Sequence, residues 1–236
     1  MYLRLKNRFL LLGLLLVLSG CGGHVYHIVE PGETLYSVGW VYDSSYQDLA
    51  RWNNIAPPYT VHTGQRLRVI PPVAGQVNTA SAIPHSKPPS EKVSIKSTPR
   101  PQVSSPRSVD NTNVIWQWPT KGKVANYFSS SKLNKGIDIV GELGQPIHAA
   151  ASGEVVYSGT GLVGMGKLII VNHSSQYLSA YAHNDEILVK EGQQVKQGQV
   201  IARMGRSGAD RVKLHFEIRR DGKPVDPMRF LASKAH

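Results

Sequence analysis

Two short stretches carry the side chains with the most obvious chemistry. The first runs from Asn134 to Asp138 and reads Asn-Lys-Gly-Ile-Asp, and the second is Lys213-Leu214-His215. Carboxylate and imidazole groups, as in Asp138 and His215, are donors that zinc prefers. An amide, as in Asn134, is a poor zinc donor, and a protonated amine, as in Lys213, cannot act as a general base. The first question about function is therefore whether this chain has hydrolytic activity of its own.

The elements that must position these residues are predicted to be strands. From Val114 onward, β-branched and aromatic runs are separated by glycine turns, at Glu154–Tyr157, Lys167–Val171, Tyr177–Tyr181 and Val200–Ala202. No long amphipathic helix lies between them, so an antiparallel sheet or sandwich is expected. Because alternate residues of a strand share one face, Lys213 and His215 should project into the same groove.

One motif in this region is misleading. Residues Gly159 to Gly164 match G-x-G-x-x-G letter for letter. A dinucleotide site needs a helix N-terminus after the glycines to receive the pyrophosphate, whereas a strand is predicted from Lys167 to Val171. We therefore interpret the match as a turn between strands.

Spaced motifs extend over the segment from about Lys121 to Leu231. They are Gly136-Ile137-Asp138, Gly144-x-Pro146-Ile147, Gly153-x-Val155, Gly164-x-Gly166, Tyr181-Ala182-His183, Val189-x-x-Gly192-x-x-Val195-x-x-Gly198-x-x-Ile201, Leu214-His215-Phe216-Glu217-Ile218 and Asp226-Pro227. As a set they resemble the M23 or LytM family of zinc endopeptidases, which cut peptidoglycan cross-bridges. The resemblance implies a mainly antiparallel all-β, lysostaphin-like domain.

The resemblance also implies a role for each chemical residue. Asp138 and His215 would be zinc ligands, and His183 a catalytic histidine. The third ligand maps to Asn134 and the second catalytic histidine to Lys213. A catalytic zinc normally has three protein ligands, and only two good ones remain, so we expect no cofactor, zinc included. We predict that the Lys213 ammonium pairs with Asp138 and supplies part of the missing metal charge.

Two other histidines lie within this domain, His148 and His173. Neither stands at a ligand position of the motif set. We expect each to be a surface residue or a satisfied core residue rather than a replacement ligand.

The segment 25–70 reads strand, helix, helix, strand. Thr34 can cap a helix that begins at Leu35, and Ser45 to Asp48 has capping-box spacing before a second helix. The flanking strands are predicted at His27–Val29 and Gly64–Val69.

Three motifs of this segment resemble a LysM module: Val29-x-x-Gly32-Glu33-Thr34-Leu35, Leu49-x-x-x-Asn53 and Gly64-Gln65-x-Leu67. LysM modules bind N-acetylglucosamine-containing glycans, so the resemblance implies peptidoglycan binding between two loops. The implied glycan-binding residues are Gly32, Glu33, Thr34, Leu35, Asn53, Asn54 and Ile55. Glu33 replaces the usual Asp and His27 the usual aromatic residue, so a βααβ spacer without glycan affinity is the alternative.

The N-terminus predicts export. Residues 1–20 combine a basic start with an apolar run from Phe9 to Leu18 that is too short to cross a bilayer. The sequence Leu18-Ser19-Gly20-Cys21 resembles a bacterial lipobox, which implies a lipidated Cys21. Gly22 after this cysteine points to the outer membrane of a Gram-negative cell, facing the periplasm. An ordinary signal peptide that happens to contain a cysteine is the alternative.

Composition and net charge limit the classes of molecule that this chain could bind. The net charge of +11 becomes +8 once the signal peptide and its three basic residues are removed (11 − 3 = 8). An exported, lipid-anchored protein does not meet DNA, so we expect envelope polymers and no nucleic acid as partners. The single cysteine excludes internal disulfides. Residues 71–113 hold eight of the fifteen prolines and predict a disordered Pro/Ser-rich linker before the domain 114–236.

Together these features predict a multidomain lipoprotein with a LysM module, a linker and a degenerate M23-like domain. This combination resembles the NlpD-like murein hydrolase activators. The resemblance implies a regulator that binds a periplasmic N-acetylmuramoyl-L-alanine amidase during septal cell-wall cleavage. Asn134, Asp138, His183, Lys213 and His215 would then line a partner-binding groove. An active zinc endopeptidase and a passive wall-binding tether are the alternatives.

Overall fold

The computed structural model describes residues 26–72, 114–131 and 134–231. The predicted signal peptide, the predicted lipidation site Cys21 and residues 73–113 of the predicted linker lie outside the described residues. None of the helices in the described ranges has the length and apolarity needed to cross a bilayer.

The N-terminal module has the predicted order of elements. Strand β1 (Tyr26–Ile28) pairs antiparallel with β2 (Arg66–Arg68), and helices α1 (Leu35–Val41) and α2 (Tyr46–Trp52) lie between them. Both predicted N-caps are confirmed, at Thr34 and Ser45. The capping box was predicted from the spacing of Ser45 and Asp48, where the Ser45 hydroxyl accepts from the Asp48 N–H. The reciprocal capping box forms instead at Thr34, where the Thr34 and Ser37 side chains each accept the other's backbone N–H.

The C-terminal domain is built from strands and one short 3₁₀ helix. Its elements are β3 (Lys123–Asn126), β4 (Ile137–Val140), β5 (Pro146–His148), β6 (Gly153–Gly159), β7 (Leu168–Asn172), β8 (Tyr177–Ala182), β9 (Asn184–Ile187), β10 (Gln194–Val195), β11 (Val200–Met204), β12 (Lys213–Arg220), β13 (Lys223–Val225) and a 3₁₀ helix (Pro227–Arg229). The larger sheet runs β10-β6-β7-β8-β12-β4-β3, with β13 on β12, and the smaller runs β5-β11-β9. Every strand pair is antiparallel, as predicted.

The strand runs of the larger sheet are apolar on both faces because both faces are covered. Ile169 and Val171 belong to the core of the C-terminal domain, while Leu168 and Ile170 belong to a second cluster on the opposite face. This second cluster includes Trp40, which comes from α1 of the N-terminal module. The two modules therefore share a hydrophobic contact.

The turn after β6 confirms our interpretation of the glycine motif. Gly159 is the last residue of β6, and the next regular element is the strand β7. In the described residues no helix follows these glycines, so there is no helix N-terminus for a pyrophosphate.

His173 is a satisfied core residue, as expected. Its Nδ1 lies 2.8 Å from the Ser152 carbonyl oxygen and its Nε2 2.7 Å from Ser179 Oγ. The ring packs edge-on against Trp116. Burial lowers the pKa of His173 to about 4. The neutral imidazole is thus the form that the fold accommodates.

This burial predicts a loss of stability in mild acid. Above a pH of about 6.5 the imidazole is neutral in both states, so it makes no pH-dependent contribution. Between about pH 6.5 and 4, only the unfolded chain takes up the proton. The free energy of unfolding should therefore fall by about 3 kcal/mol over that window. Urea denaturation at several pH values measures this, with His173→Gln as the control. An equal acid loss in the variant would contradict the assignment.

Candidate functional site

Strand β12 supplies the floor of the site. Leu214, Phe216 and Ile218 point into the core of the domain. The alternate residues Lys213, His215 and Glu217 therefore point to the opposite face, as strand geometry requires. The predicted common face of Lys213 and His215 is confirmed.

An open cleft of about 340 Å³ lies above this floor. It brings together all five residues that were predicted to share a groove. The lining residues are Asn134, Lys135, Asp138, Val163, Gly164, Met165, His183, Lys213, His215 and Glu217.

The Asp138 carboxylate is the centre of the cleft. One oxygen, Oδ1, lies 2.7 Å from His215 Nδ1, and the other, Oδ2, accepts from Lys213 Nζ at 2.9 Å and Asn126 Nδ2 at 2.8 Å. The predicted ion pair between Lys213 and Asp138 is confirmed. Burial would raise the pKa of Asp138, but the hydrogen bonds from His215, Asn126 and Lys213 outweigh it and hold the pKa well below its usual range. The carboxylate is therefore ionised at neutral pH.

His215 lies between two carboxylates. Its Nε2 is 3.1 Å from Glu217 Oε1, and its Nδ1 faces Asp138. Burial would lower the pKa of His215, but the hydrogen bonds to Asp138 and Glu217 raise it to about 9. With a proton on each ring nitrogen, the imidazolium has no lone pair left for a metal ion.

His183 is in a different state. It lies between β8 and β9 with φ of 67°, a left-handed conformation that is uncommon outside glycine. Its Nδ1 is 2.8 Å from the Ser207 carbonyl oxygen, so Nδ1 carries the proton and donates. Burial, together with the charges of Lys213 and His215, lowers the pKa of His183. This imidazole is therefore neutral at neutral pH.

Asn134 stands at the edge of the cleft. Its side-chain Nδ2 donates to the Tyr127 carbonyl oxygen at 2.8 Å, and its backbone pairs with Ser129. The amide side chain thus supports the local turn.

This set of side chains does not fit a catalytic zinc ion. The Lys213 ammonium lies on one oxygen of Asp138, and both nitrogens of His215 face carboxylates. An ammonium group coordinates no metal, and zinc requires neutral imidazole donors. Within the described residues, no group of three or more His, Cys, Asp or Glu side chains could hold a metal ion.

Comparisons with known proteins agree with both modules. The model of peptidase family M23 matches residues 132–227, and the model of the LysM domain matches residues 27–69. The chain is 46% identical to "Lipoprotein NlpD/LppB homolog" of Pseudomonas aeruginosa, over 87% of this chain and 76% of that protein. The chain belongs to the NlpD/LppB lipoprotein family. It is 38% identical to "Murein hydrolase activator NlpD" of Escherichia coli K12, over 88% of this chain and 68% of that protein.

The two histidines that could have rescued the metal site do not line the cleft. His173 is buried beside Ser152 and Ser179, and His148 Nδ1 lies 3.3 Å from the Pro119 carbonyl oxygen. As expected, neither histidine of this NlpD/LppB family member lies where it could replace the missing ligand.

Sequence reasoning missed several residues of the site. Glu217 is two residues beyond His215 on β12, so strand alternation could have placed it beside the cleft. Asn126 reaches Asp138 only because β3 pairs with β4 in a register that sets these two residues opposite each other. That register has no signal in the sequence.

The structure corrects part of the predicted glycan-binding set of the LysM module. Leu35 is fully buried in the module's core, so its side chain cannot contact a glycan. The Asn53 side chain donates to the Leu49 and Arg68 carbonyls and accepts from the Arg68 N–H, which ties α2 to β2. Thr34 caps α1.

Six of the seven predicted glycan-binding residues remain at least partly exposed. Gly32 and Asn54 are exposed, and Glu33, Thr34, Asn53 and Ile55 are half-buried. The Glu33 carboxylate also contacts His27 Nε2 at 2.6 Å. Any glycan contact from these two loops would come from these six residues.

Restoring two histidines should restore a metal site. In Asn134→His/Lys213→His, the ammonium that neutralises Asp138 is gone and two imidazole donors are added. We expect on the order of one zinc ion per chain after dialysis, measured by mass spectrometry of the metal. The control is Asn54→His/Lys196→His, which adds two histidines at exposed positions that do not line the cleft. Equal zinc in both variants would mean that the ligand positions are mapped wrongly.

Proposed function

We propose that this chain is an outer-membrane lipoprotein that binds peptidoglycan and activates a periplasmic N-acetylmuramoyl-L-alanine amidase. The activation would serve septal cell-wall cleavage and daughter-cell separation. Relatives named murein hydrolase activators support this proposal. The LysM match supports peptidoglycan binding.

One observation supports a regulator rather than an enzyme. The Lys213 ammonium lies 2.9 Å from Asp138 Oδ2, inside the cleft. In an M23 peptidase the carboxylate at this position would have to be available to bind the metal ion. Charge in the cleft is therefore balanced by protein groups alone. An amine that is paired with a carboxylate as an ammonium group cannot replace a catalytic histidine as a base. We propose that the chain has no cofactor and no peptidase activity of its own.

The rim of the cleft fits a protein partner. The Val163 side chain is fully exposed beside the half-buried Met165. Lys135 and Lys213 line the same cleft. An exposed apolar anchor next to positive charges suits a partner segment that has both apolar and acidic side chains. Asn134, Asp138, His183 and His215 would complete the binding surface.

The predicted anchor supports the cellular location. Relatives named as lipoproteins share most of the chain, which supports membrane attachment through Cys21. Gly22 after the cysteine supports the outer membrane as the destination. The LysM module would then bind peptidoglycan from the outer-membrane side of the periplasm.

One experiment separates the three candidate functions. The purified chain is incubated with peptidoglycan alone and with peptidoglycan plus an autoinhibited amidase, while bound zinc is measured. We expect peptidoglycan cleavage only with the amidase present. Cleavage by the chain alone with stoichiometric zinc would establish an endopeptidase instead. Binding to peptidoglycan without cleavage in either mixture would establish a passive tether.

A rim substitution tests the binding groove directly. Val163→Asp places a charge on the exposed apolar anchor without touching the core, so the fold should be unaffected. We expect amidase affinity to fall about tenfold or more, because apolar anchors dominate such interfaces. Titration calorimetry or biolayer interferometry measures this.

Leu143→Asp is the matched control. Leu143 is also an exposed apolar residue of the C-terminal domain, but it is absent from the lining of the cleft. If both variants bind the amidase equally well, the groove is not the docking site.

A further inference from the structure

The LysM module is seated on the outer face of the larger sheet. Trp40 of α1 is buried there in one cluster with Leu168, Ile170 and Ala180. The turn between β12 and β13 fits closely against the start of α2. A Cβ atom added at Gly222 would come within 2.3 Å of the Ser44 and Ser45 backbones. The two backbones are therefore in close contact at this point, and a side chain at position 222 would separate them.

Arg219 is the polar centre of the contact. This arginine of β12 is 1% exposed, and its guanidinium lies 3.7 Å from the centre of the Trp40 ring. Its Nη1 donates to the Trp40 carbonyl oxygen at 2.8 Å and to Asp43 Oδ1 at 2.9 Å. A buried guanidinium needs such partners, and the LysM module provides two of them.

The same arginine reaches towards the groove. Its Nη2 and Nε each donate to Glu217 Oε2 at 3.2 Å. Glu217 Oε1 in turn accepts from His215 Nε2, and His215 Nδ1 faces Asp138. An unbroken series of polar contacts therefore joins Asp43 of the LysM module to the centre of the cleft.

A second contact links the LysM module to the cleft wall. Lys135 lines the cleft, and its Nζ lies 2.8 Å and 2.9 Å from the two oxygens of Asp43. Asp43 thus positions two cations, Arg219 and Lys135, that belong to the M23-like domain. We call Trp40, Asp43, Lys135, Arg219 and Gly222 the docking contact.

We infer that the LysM module is an intramolecular partner of the M23-like domain, and that the docking contact holds the groove in its partner-binding shape. Without Asp43, the Lys135 side chain loses its anchor and Arg219 loses a counter-charge, so the contacts of Glu217 and His215 loosen. Because both modules lie on one chain, docking costs less entropy than association of two molecules. The part of this inference that concerns amidase binding rests on the proposed function.

In the docked arrangement, one of the two predicted glycan-binding loops of the LysM module faces a cleft. The loop from Glu30 to Glu33 lines a cleft of about 600 Å³, and Tyr157 to Gly161 with Lys190 and Glu191 form its other wall. A glycan strand could enter there while Trp40 and Asp43 stay in place. Wall binding and groove binding are therefore compatible in the docked arrangement.

The test uses Asp43→Asn in the full chain. Asp43 has φ of 48°, a left-handed conformation that asparagine also adopts, so the backbone turn should persist. The control is Asp48→Asn in the same module. The two carboxylates have nearly equal exposure, 35% for Asp43 and 36% for Asp48, but Asp48 pairs with Arg51 of its own helix and, among the described residues, with no cation of the M23-like domain.

We expect Asp43→Asn to weaken amidase binding about five- to tenfold, while peptidoglycan pull-down stays unchanged. Asp48→Asn should bind the amidase like the original chain. The inference is overturned if Asp43→Asn binds the amidase equally well. It is also overturned if this variant binds or activates more strongly, because docking would then be inhibitory.

A second readout does not need the amidase. In a chain with ¹⁵N-labelled histidines, the ring nitrogens of His215 report on its hydrogen bonds. These signals should shift in Asp43→Asn and stay unchanged in Asp48→Asn. Unshifted His215 signals would overturn the inference. If the original chain fails to bind the amidase but the His215 signals shift, the proposed function fails and the docking contact stands.

Discussion

The buried Asp138 carboxylate sets the requirement that the rest of the site meets. An ionised carboxylate that is 5% exposed needs positive charge and hydrogen-bond donors nearby. Lys213, His215 and Asn126 provide them, so the need that a metal ion would otherwise satisfy is met by side chains. Removing one partner of a buried ion pair typically costs about 3–5 kcal/mol, because the remaining charge stays unpaired. The buried charge of Asp138 is therefore balanced only while these partner side chains stay in place.

Strand β12 extends this constraint across the molecule. Its odd-numbered residues, from Lys213 to Arg219, line one face, and its even-numbered residues fill the core. Two positive, one negative and one imidazole side chain follow each other along that face, each neutralised by the next or by β4. The last of them, Arg219, also forms a salt bridge with Asp43 of the LysM module. The groove and the contact between modules are therefore parts of one electrostatic arrangement.

Sequence reasoning succeeded where a local rule applied. Thr34 and Ser45 were predicted as caps because hydroxyl side chains satisfy the free N–H groups of a helix start. The antiparallel sheet followed from β-branched runs and glycine turns. It failed at Leu35, which was predicted to bind glycan from its motif position but is fully buried in the core of the LysM module.

The sequence by itself determined the identity of the modules and the shared face of Lys213 and His215. These depend on residue type and spacing, which the chain states directly. Only the tertiary structure decided that Asn126 supports Asp138, that His215 is held between two carboxylates, and that Trp40 and Asp43 cover Arg219. Those contacts join residues up to 179 positions apart, and burial gives them their strength. Neither strand register nor module docking can be read from local sequence, because both are set by how whole surfaces pack.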